Sequence, residues 1–149
     1  MIQISQFDHI GIRVSDRARA LAFYRQLGFS VIHEPNFDAV AILKNDLGIE
    51  INLILNGLPL HNPQNILMDV PEKHTGLTHV AFKVADINST ITSLKADNIT
   101  ITQGPVGFGD GHVSVFIRDP DRNTIELRAR LLVGDEDNIP GLVRYDPKG

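Results

Sequence analysis

Two histidines and two glutamates stand at matched positions in two similar stretches of this chain. Residues 8–16 read DHIGIRVSD and residues 78–86 read THVAFKVAD, so His9 corresponds to His79 at an offset of 70. Further along, GIEI at 48–51 corresponds to TIEL at 124–127, which matches Glu50 with Glu126 at an offset of 76. The six-residue change in offset is what a difference in loop length between two copies would give. The sequence therefore indicates an internal repeat with one imidazole and one carboxylate in each copy.

These four side chains are of the types that hold a divalent metal ion. Imidazole nitrogens and carboxylate oxygens are suited to Zn²⁺, Ni²⁺, Fe²⁺, Mn²⁺ or Co²⁺, and four such ligands on an octahedral ion leave two positions for water or substrate oxygens. Taken alone, a histidine in a strand is more often a hydrogen-bonded structural residue, and a glutamate among aliphatic residues is more often the solvated side of a strand. The repeat favours the metal site, because chance rarely matches four such residues. We predict the ligands His9, Glu50, His79 and Glu126.

Alternation along the strands places all four side chains opposite an aliphatic face. In the first copy Ile10 and Ile12 face one way while His9 faces the other. Glu50, His79 and Glu126 also lie between aliphatic neighbours. Helices are expected to pack against the aliphatic faces. The two histidines and two glutamates are therefore expected on the opposite, concave side of the sheet.

Each copy is predicted to run strand, helix, then three strands. The first helix starts at an N-cap, Ser15 or Asp16, and ends at Gly28; the second starts at Asp86 and ends at Asn98. One helix for three or four strands predicts an α+β fold with a curved sheet covered on one face. The predicted strands cover 7–14, 29–34, 38–44, 48–55, 77–84, 99–103, 112–118 and 124–131.

The modules span roughly 5–55 and 76–131 within one domain, 1–133, and 134–149 is expected to be a C-terminal extension without structure of its own.

The apolar fraction of 42% and net charge of −4 are those of an ordinary globular protein, and no basic stripe indicates a nucleic-acid or anionic-membrane partner. Lack of cysteine excludes disulfides, thiolate metal sites and cysteine nucleophiles. No secretory signal or membrane-spanning run is recognisable, so we expect a cytoplasmic protein.

Several of these stretches resemble the glyoxalase/bleomycin-resistance/extradiol-dioxygenase superfamily, also called the vicinal oxygen chelate superfamily. FDHIGIRVSD at 7–16 and AFYRQLGF at 22–29 resemble its opening, and LTHVAF at 77–82 and DPDRNTIEL at 119–127 resemble its second module. The resemblance extends from Gln6 to Arg130. It implies paired βαβββ modules forming an open U-shaped barrel with helices on the outer face and a metal inside. It also implies a homodimer, in which one site can draw ligands from two chains.

The order His, Glu, His, Glu is similar to glyoxalase I and its lyase and isomerase relatives. Extradiol dioxygenases and fosfomycin-modifying transferases typically use two histidines and one glutamate, and bleomycin-sequestering members bind without metal. The resemblance therefore implies a metal-dependent lyase or isomerase acting on a small substrate with vicinal oxygens through an enediolate. Glu126 is expected to be the general base, with Glu50 as the alternative. An Fe²⁺ ring-cleaving dioxygenase and a metal-free small-molecule binding protein remain alternatives.

Two further residues are candidates for substrate binding. Arg13 lies four residues beyond His9 on the same strand face, and matches a position where glyoxalases use arginine for the glutathione carboxylate; the alternative is a solvating surface cation. His112 shares a strand face with Ser114 and Phe116 and could contact substrate, although a structural role is more common for such a histidine.

The resemblance to glutathione-dependent glyoxalases is incomplete. Residues 104–111 form a glycine-rich stretch without the Lys-Ser/Thr ending of a phosphate loop, and we predict a mobile flap there. Glyoxalases that use glutathione usually carry basic residues in this loop, and 106–111 has none. Ile54 also occupies a position where asparagine is expected. These departures argue against a glutathione hemithioacetal, while leaving lyase or isomerase chemistry open.

Overall fold

The computed structural model describes residues 1–35 and 38–146, and the chain divides into two compact units, Met1–Pro63 and Gln64–Gly149. In the first unit β1 is parallel to β4, β3 is antiparallel to both β4 and β2, and the sheet order is β1-β4-β3-β2. The elements of this unit are β1 (His9–Arg13), α1 (Arg17–Gln26), β2 (Ser30–His33), β3 (Val40–Lys44) and β4 (Glu50–Ile54).

The core of the first unit follows the predicted alternation. Ile51 and Leu53 of β4 are fully buried, and so is Tyr24 of α1. The Asp16 side chain caps α1 by accepting a hydrogen bond from the Arg19 backbone N–H at 2.8 Å. Gly28 follows α1 at a φ of +91°, a conformation that glycine adopts without strain. The aliphatic side chains of β1 and β4 form the buried face of the sheet. The side chains of His9 and Glu50, at the starts of these strands, therefore lie on the opposite face.

The second unit repeats this plan. Its elements are β5 (Val80–Lys83), α2 (Ile87–Ala96), β6 (Ile101–Gly107), β7 (His112–Arg118), β8 (Thr124–Arg130) and β9 (Val143–Arg144). Strand β5 is parallel to β8, β7 is antiparallel to β8 and β6, and the sheet order is β5-β8-β7-β6-β9. Asp86 caps α2 through the Ser89 backbone N–H at 2.8 Å, and Asn98, two residues beyond the helix, has a φ of +57°.

The two βαβββ modules confirm the predicted α+β class, since the described residues of each unit contain one α-helix and a separate sheet. Over the described residues neither sheet closes on itself: each begins and ends with an edge strand. None of the helices in the described part of the chain is both long enough and apolar enough to cross a membrane.

The segment between the two predicted modules is anchored to the second unit by a partly buried carboxylate. Asp69 accepts hydrogen bonds from Arg122 at 2.9 and 3.0 Å and from Arg118 at 3.3 Å, and its side chain is 13% exposed. The hydrogen bonds from Arg122 are the largest of the effects that lower the Asp69 pKa, to about 2. This cluster fixes the turn that leads into β8.

Two expectations for the second unit need correction. Residues 104–107 belong to β6, so the glycine-rich loop before β7 is limited to 108–111. The C-terminal segment is not without structure: Glu136–Asn138 forms a short 3-10 helix, and β9 pairs in parallel with β6. Ile139 is buried, which explains why the segment docks rather than extends into solvent. The last three residues, 147–149, lie outside the described part of the chain.

Candidate metal centre

The first unit brings His9 and Glu50 together at the starts of two neighbouring strands. His9 is the register partner of Glu50 in the parallel pair β1–β4, so both side chains project from the same face. Nδ1 of His9 lies 3.7 Å from Oε2 of Glu50. The other carboxylate oxygen, Oε1, lies 3.6 Å from Nζ of Lys44, which is opposite Glu50 on β3. We refer to His9 and Glu50 as the first pair.

The first pair is open to solvent and has an acidic neighbour. The His9 side chain is 42% exposed and that of Glu50 is 19% exposed. Oδ2 of Asp8 lies 3.5 Å from Nδ1 of His9, and ligand atoms of Asp8, His9 and Glu50 all lie within 4.8 Å of one another. Asp8 was missed in the sequence, where its position directly before the histidine was the available signal. It could act as a further ligand or as a hydrogen-bond acceptor that orients the ring.

The second unit brings His79 and Glu126 closer together. Glu126 pairs with Ala81 in the parallel register of β5 and β8. His79 directly precedes β5, two residues before Ala81, and continued alternation puts it on the same face. Nε2 of His79 is 3.0 Å from Oε2 of Glu126. The other ring nitrogen, Nδ1, is 2.8 Å from Oγ1 of Thr78. When Nδ1 donates its proton to Thr78, the Nε2 lone pair faces the carboxylate and is free to bind a cation. We refer to His79 and Glu126 as the second pair.

In the second pair the carboxylate is protected from solvent, whereas the His79 side chain is 34% exposed. Glu126 is 6% exposed, and Ser114, which is fully buried, donates a hydrogen bond from Oγ to its Oε1 at 2.5 Å. Nη1 of Arg128 lies 3.8 Å from the same Oε1, while Nη2 donates to Oδ2 of Asp110 at 2.5 Å. This bond from Arg128 is the main cause of the lowered Asp110 pKa.

Ser114 was missed as part of the site. The sequence placed it on a face with His112 and Phe116, but the contact with Glu126 depends on how β7 aligns with β8. Phe116 is the register partner of Glu126, and its ring centroid lies 5.8 Å from that of His79. The period-two spacing of Ser114 and Phe116 was the only local signal.

The donor atoms of each pair fit a divalent cation. Two ligand atoms bound at about 2.1 Å and at right angles to one another lie roughly 3 Å apart. The 3.0 Å separation in the second pair matches this geometry. The 3.7 Å separation in the first pair requires a small inward movement, which its exposed side chains can make. The nitrogen and oxygen donor set, without thiolate, suits the intermediate transition metals.

The two predicted substrate residues have protein partners of their own. Nε of Arg13 donates to Oδ1 of Asn56 at 3.1 Å. His112 lies on the face of Ser114, as predicted, with Nδ1 3.0 Å from the backbone oxygen of Asp110. Arg13 is four residues from His9, and His112 is four from Phe116, which corresponds to about 13 Å along a strand. These positions leave their contact with a substrate as a prediction.

Comparison with known proteins places the chain in a family. Residues 6–127 match the model of the Glyoxalase/Bleomycin resistance protein/Dioxygenase superfamily. The uncharacterized protein YaeR of Escherichia coli (strain K12) is 31% identical over 132 residues, covering 85% of this chain and 98% of YaeR. A probable lactoylglutathione lyase of Vibrio cholerae is 30% identical and covers 80% of this chain and 86% of the relative. The chain spans only 44% of the length of two plant relatives named as lactoylglutathione lyases.

A solved structure of similar sequence shares the fold. The crystal structure of SMU.1112c is 30% identical, with a TM-score of 0.69, and the match covers 85% of this chain and 99% of that one. The family model covers most of the chain, including both modules and all four predicted ligands. This chain belongs to the Glyoxalase/Bleomycin resistance protein/Dioxygenase superfamily.

Proposed function

We propose that this protein is a metal-dependent lyase or isomerase of the glyoxalase I type, acting on a small substrate with two adjacent oxygens. The observation that carries the proposal is the pairing of a histidine with a glutamate at the matched place in each module, with donor atoms 3.7 and 3.0 Å apart. If the pairs had only structural roles, a histidine and a glutamate would have had to come together independently at the matched place in both modules. Names of relatives at about 30% identity support the same chemistry.

We propose that one divalent cation takes all four ligands, His9, Glu50, His79 and Glu126. They come either from one chain or from the two chains of a homodimer. Two carboxylates and two neutral imidazoles balance the charge of a divalent ion. Octahedral coordination then leaves two adjacent positions for the substrate oxygens.

The proposed reaction moves a proton between neighbouring carbon atoms of the substrate. A bound cation would act as a Lewis acid that makes the C–H next to a carbonyl more acidic and favours the negative charge that develops there. Glu126 is the proposed general base: once released from the cation, Oε2 would accept the proton and return it to the adjacent carbon, while Ser114 holds Oε1. Glu50 is the alternative base, since it is the matched carboxylate of the first module.

The proposal leaves the thiol component of the substrate open. Arg13 and His112 are proposed to contact the parts of the substrate farther from the reacting carbons. Within the loop between β6 and β7, the charged residue is Asp110 rather than a lysine or arginine, which does not favour a glutathione carboxylate at that place. One relative is named as a probable lactoylglutathione lyase, so methylglyoxal–thiol adducts are the substrates to assay first.

Metal analysis combined with two assays tests the proposal. Bound metal is removed from the purified protein with a chelator, and the protein is reloaded with Ni²⁺, Zn²⁺ or Fe²⁺. Each form is then assayed for isomerisation of methylglyoxal adducts with several thiols and for oxygen uptake with catechols. We expect one ion per four-ligand site and metal-dependent isomerisation without oxygen uptake. Oxygen consumption under Fe²⁺ would instead indicate the dioxygenase. Tight binding of small molecules by a protein that takes up no metal would indicate the metal-free binding protein.

A further inference from the structure

We propose that Ser114 is a positioning residue that keeps Glu126 a one-oxygen ligand and thereby selects small transition-metal ions over Ca²⁺. This inference rests on the proposed function, because it assumes that Glu126 binds a cation. It concerns the buried hydroxyl of Ser114 on β7, which is not one of the four predicted ligands but contacts one of them, Glu126. The argument starts from how the two oxygens of Glu126 differ.

The two carboxylate oxygens of Glu126 have different partners. Oε1 accepts the Ser114 hydroxyl at 2.5 Å, and the Arg128 guanidinium lies 3.8 Å from the same oxygen. Oε2 lies 3.0 Å from Nε2 of His79. A hydroxyl–carboxylate bond of this length is in the range of charge-assisted hydrogen bonds, the stronger class. Oε1 is therefore committed to the protein, and Oε2 is the oxygen that remains for a cation beside His79.

Ser114 has little freedom to give up this bond. It is fully buried, so no solvent replaces Glu126 as a partner for its hydroxyl. The backbone of β6 also approaches it closely, since a Cβ built on Gly104 would lie 2.5 Å from the Ser114 backbone oxygen. Gly104 has a φ of +95°, so both the close approach and the backbone conformation favour glycine. The Ser114 backbone is therefore held closely against β6, and its hydroxyl has a buried partner in Glu126.

A carboxylate held by one oxygen discriminates between ions by size and coordination. Small transition-metal ions accept one oxygen at about 2.0–2.2 Å. Ca²⁺ needs six to eight oxygens at about 2.3–2.6 Å and often takes both oxygens of a carboxylate. With Oε1 held by Ser114, two-oxygen binding by Glu126 is disfavoured, which penalises Ca²⁺ more than Zn²⁺. Loss of the hydroxyl would release Oε1 and let the carboxylate rotate toward two-oxygen binding.

The test compares Ser114→Ala with Ser114→Thr, which keeps a hydroxyl, and with Thr124→Val as a matched control. Thr124 is also buried on β8, but its hydroxyl accepts from Asn65 at 3.3 Å rather than bonding to Glu126. Removal of a partner that orients a ligand typically weakens metal binding by about 10-fold to 100-fold. We expect this loss of Zn²⁺ affinity in Ser114→Ala, a smaller loss of Ca²⁺ affinity, and a changed visible absorption spectrum of the Co²⁺ form. Ser114→Thr should restore the wild-type values, and Thr124→Val should leave them unchanged.

The outcomes separate this inference from the proposed function. A wild-type protein that binds neither Zn²⁺ nor Co²⁺ would overturn both. Tight binding by the wild type, with the same Zn²⁺ to Ca²⁺ ratio and Co²⁺ spectrum in Ser114→Ala, would overturn the role of Ser114 alone. A crystal structure of the Zn²⁺-loaded wild type gives an independent decision, which does not depend on the folding of any variant. One Glu126 oxygen on the ion supports the inference, and two would contradict it.

Discussion

The first and second pairs come from equivalent places in two copies of one module, yet their surroundings differ. His9 and Glu50 are partly exposed, 3.7 Å apart, and have Lys44 as a cationic neighbour. His79 and Glu126 are 3.0 Å apart, with a nearly buried carboxylate anchored by Ser114. The difference arises from the strands beside the ligands: β3 contributes a lysine, whereas β7 contributes a serine and a phenylalanine. The repeat thus preserves the ligands, while their neighbours make one pair adaptable and the other rigid.

The largest effect is expected on catalysis, where substitutions test whether the two glutamates have different roles. Glu126→Gln removes the proposed base and leaves the Ser114 hydroxyl beside a neutral amide, so kcat should fall by about 10²-fold to 10⁴-fold. Glu50→Gln should lower kcat less at saturating metal and should mainly weaken metal binding. The measurement is steady-state kinetics at several metal concentrations, with metal content determined for each variant.

The two glutamine variants serve as each other's control, because each exchanges one proposed carboxylate ligand for a neutral amide of the same size. Full turnover by Glu126→Gln at unchanged metal content would contradict the assignment of the base. If Glu50→Gln then lost turnover while keeping its metal, the adaptable pair rather than the rigid one would supply the base.

A second, smaller effect concerns the stability of the two units. The pKa of Asp69 is lowered to about 2 from the ordinary value of 3.8, mainly by the hydrogen bonds from Arg122. Since folding favours the ionised form, this stabilisation is present above pH 3.8 and is lost as the pH falls through about 2. The shift corresponds to about 2 kcal/mol at neutral pH, at 1.36 kcal/mol per pKa unit. Asp69→Asn should therefore lower the free energy of unfolding by about that amount, as measured by urea denaturation at pH 7.

The matched control in the first unit is Glu34, which binds Arg17 through two hydrogen bonds. The Arg17 side chain is 52% exposed and that of Glu34 is 33% exposed, so water and salt screen this ion pair. Glu34→Gln should leave the unfolding midpoint nearly unchanged at pH 7. A loss equal to that of Asp69→Asn would show that burial does not distinguish the two ion pairs.

The sequence predicted which face of a strand each side chain occupies, but it did not predict which side chains on neighbouring strands are in contact. Period-two alternation predicted that His9 and Glu50 would lie opposite the core, and aspartate N-caps marked the starts of both helices. These features depend on residues close together along the chain. The hydrogen bond between Ser114 and Glu126 depends instead on the register of two antiparallel strands, which the alternation of either strand leaves undetermined.

The C-terminal segment illustrates the same limit. Its charged and glycine-containing sequence has weak intrinsic preference for a strand, yet Val143 pairs with Val106 of β6. Contacts with the edge of an existing sheet stabilise such a short strand, so the local composition of 134–149 could not reveal it.

The smallest expected effect would sharpen the comparison at Lys44. Its ammonium group lies 3.6 Å from Oε1 of Glu50, where it partly neutralises the carboxylate and would repel an incoming cation. Exposed ion pairs contribute about 0.2–1 kcal/mol, so Lys44→Met should strengthen metal binding by roughly 1.4-fold to 5-fold. The metal dissociation constant is best measured by competition with a chelator at low and high salt, because screening should reduce the difference. Lys83 provides the control, because it is the register partner of Arg128 rather than of Glu126, and Lys83→Met should have a weaker effect. Equal effects of both substitutions would mean that long-range charge, and not contact with Glu50, sets the affinity of the adaptable pair.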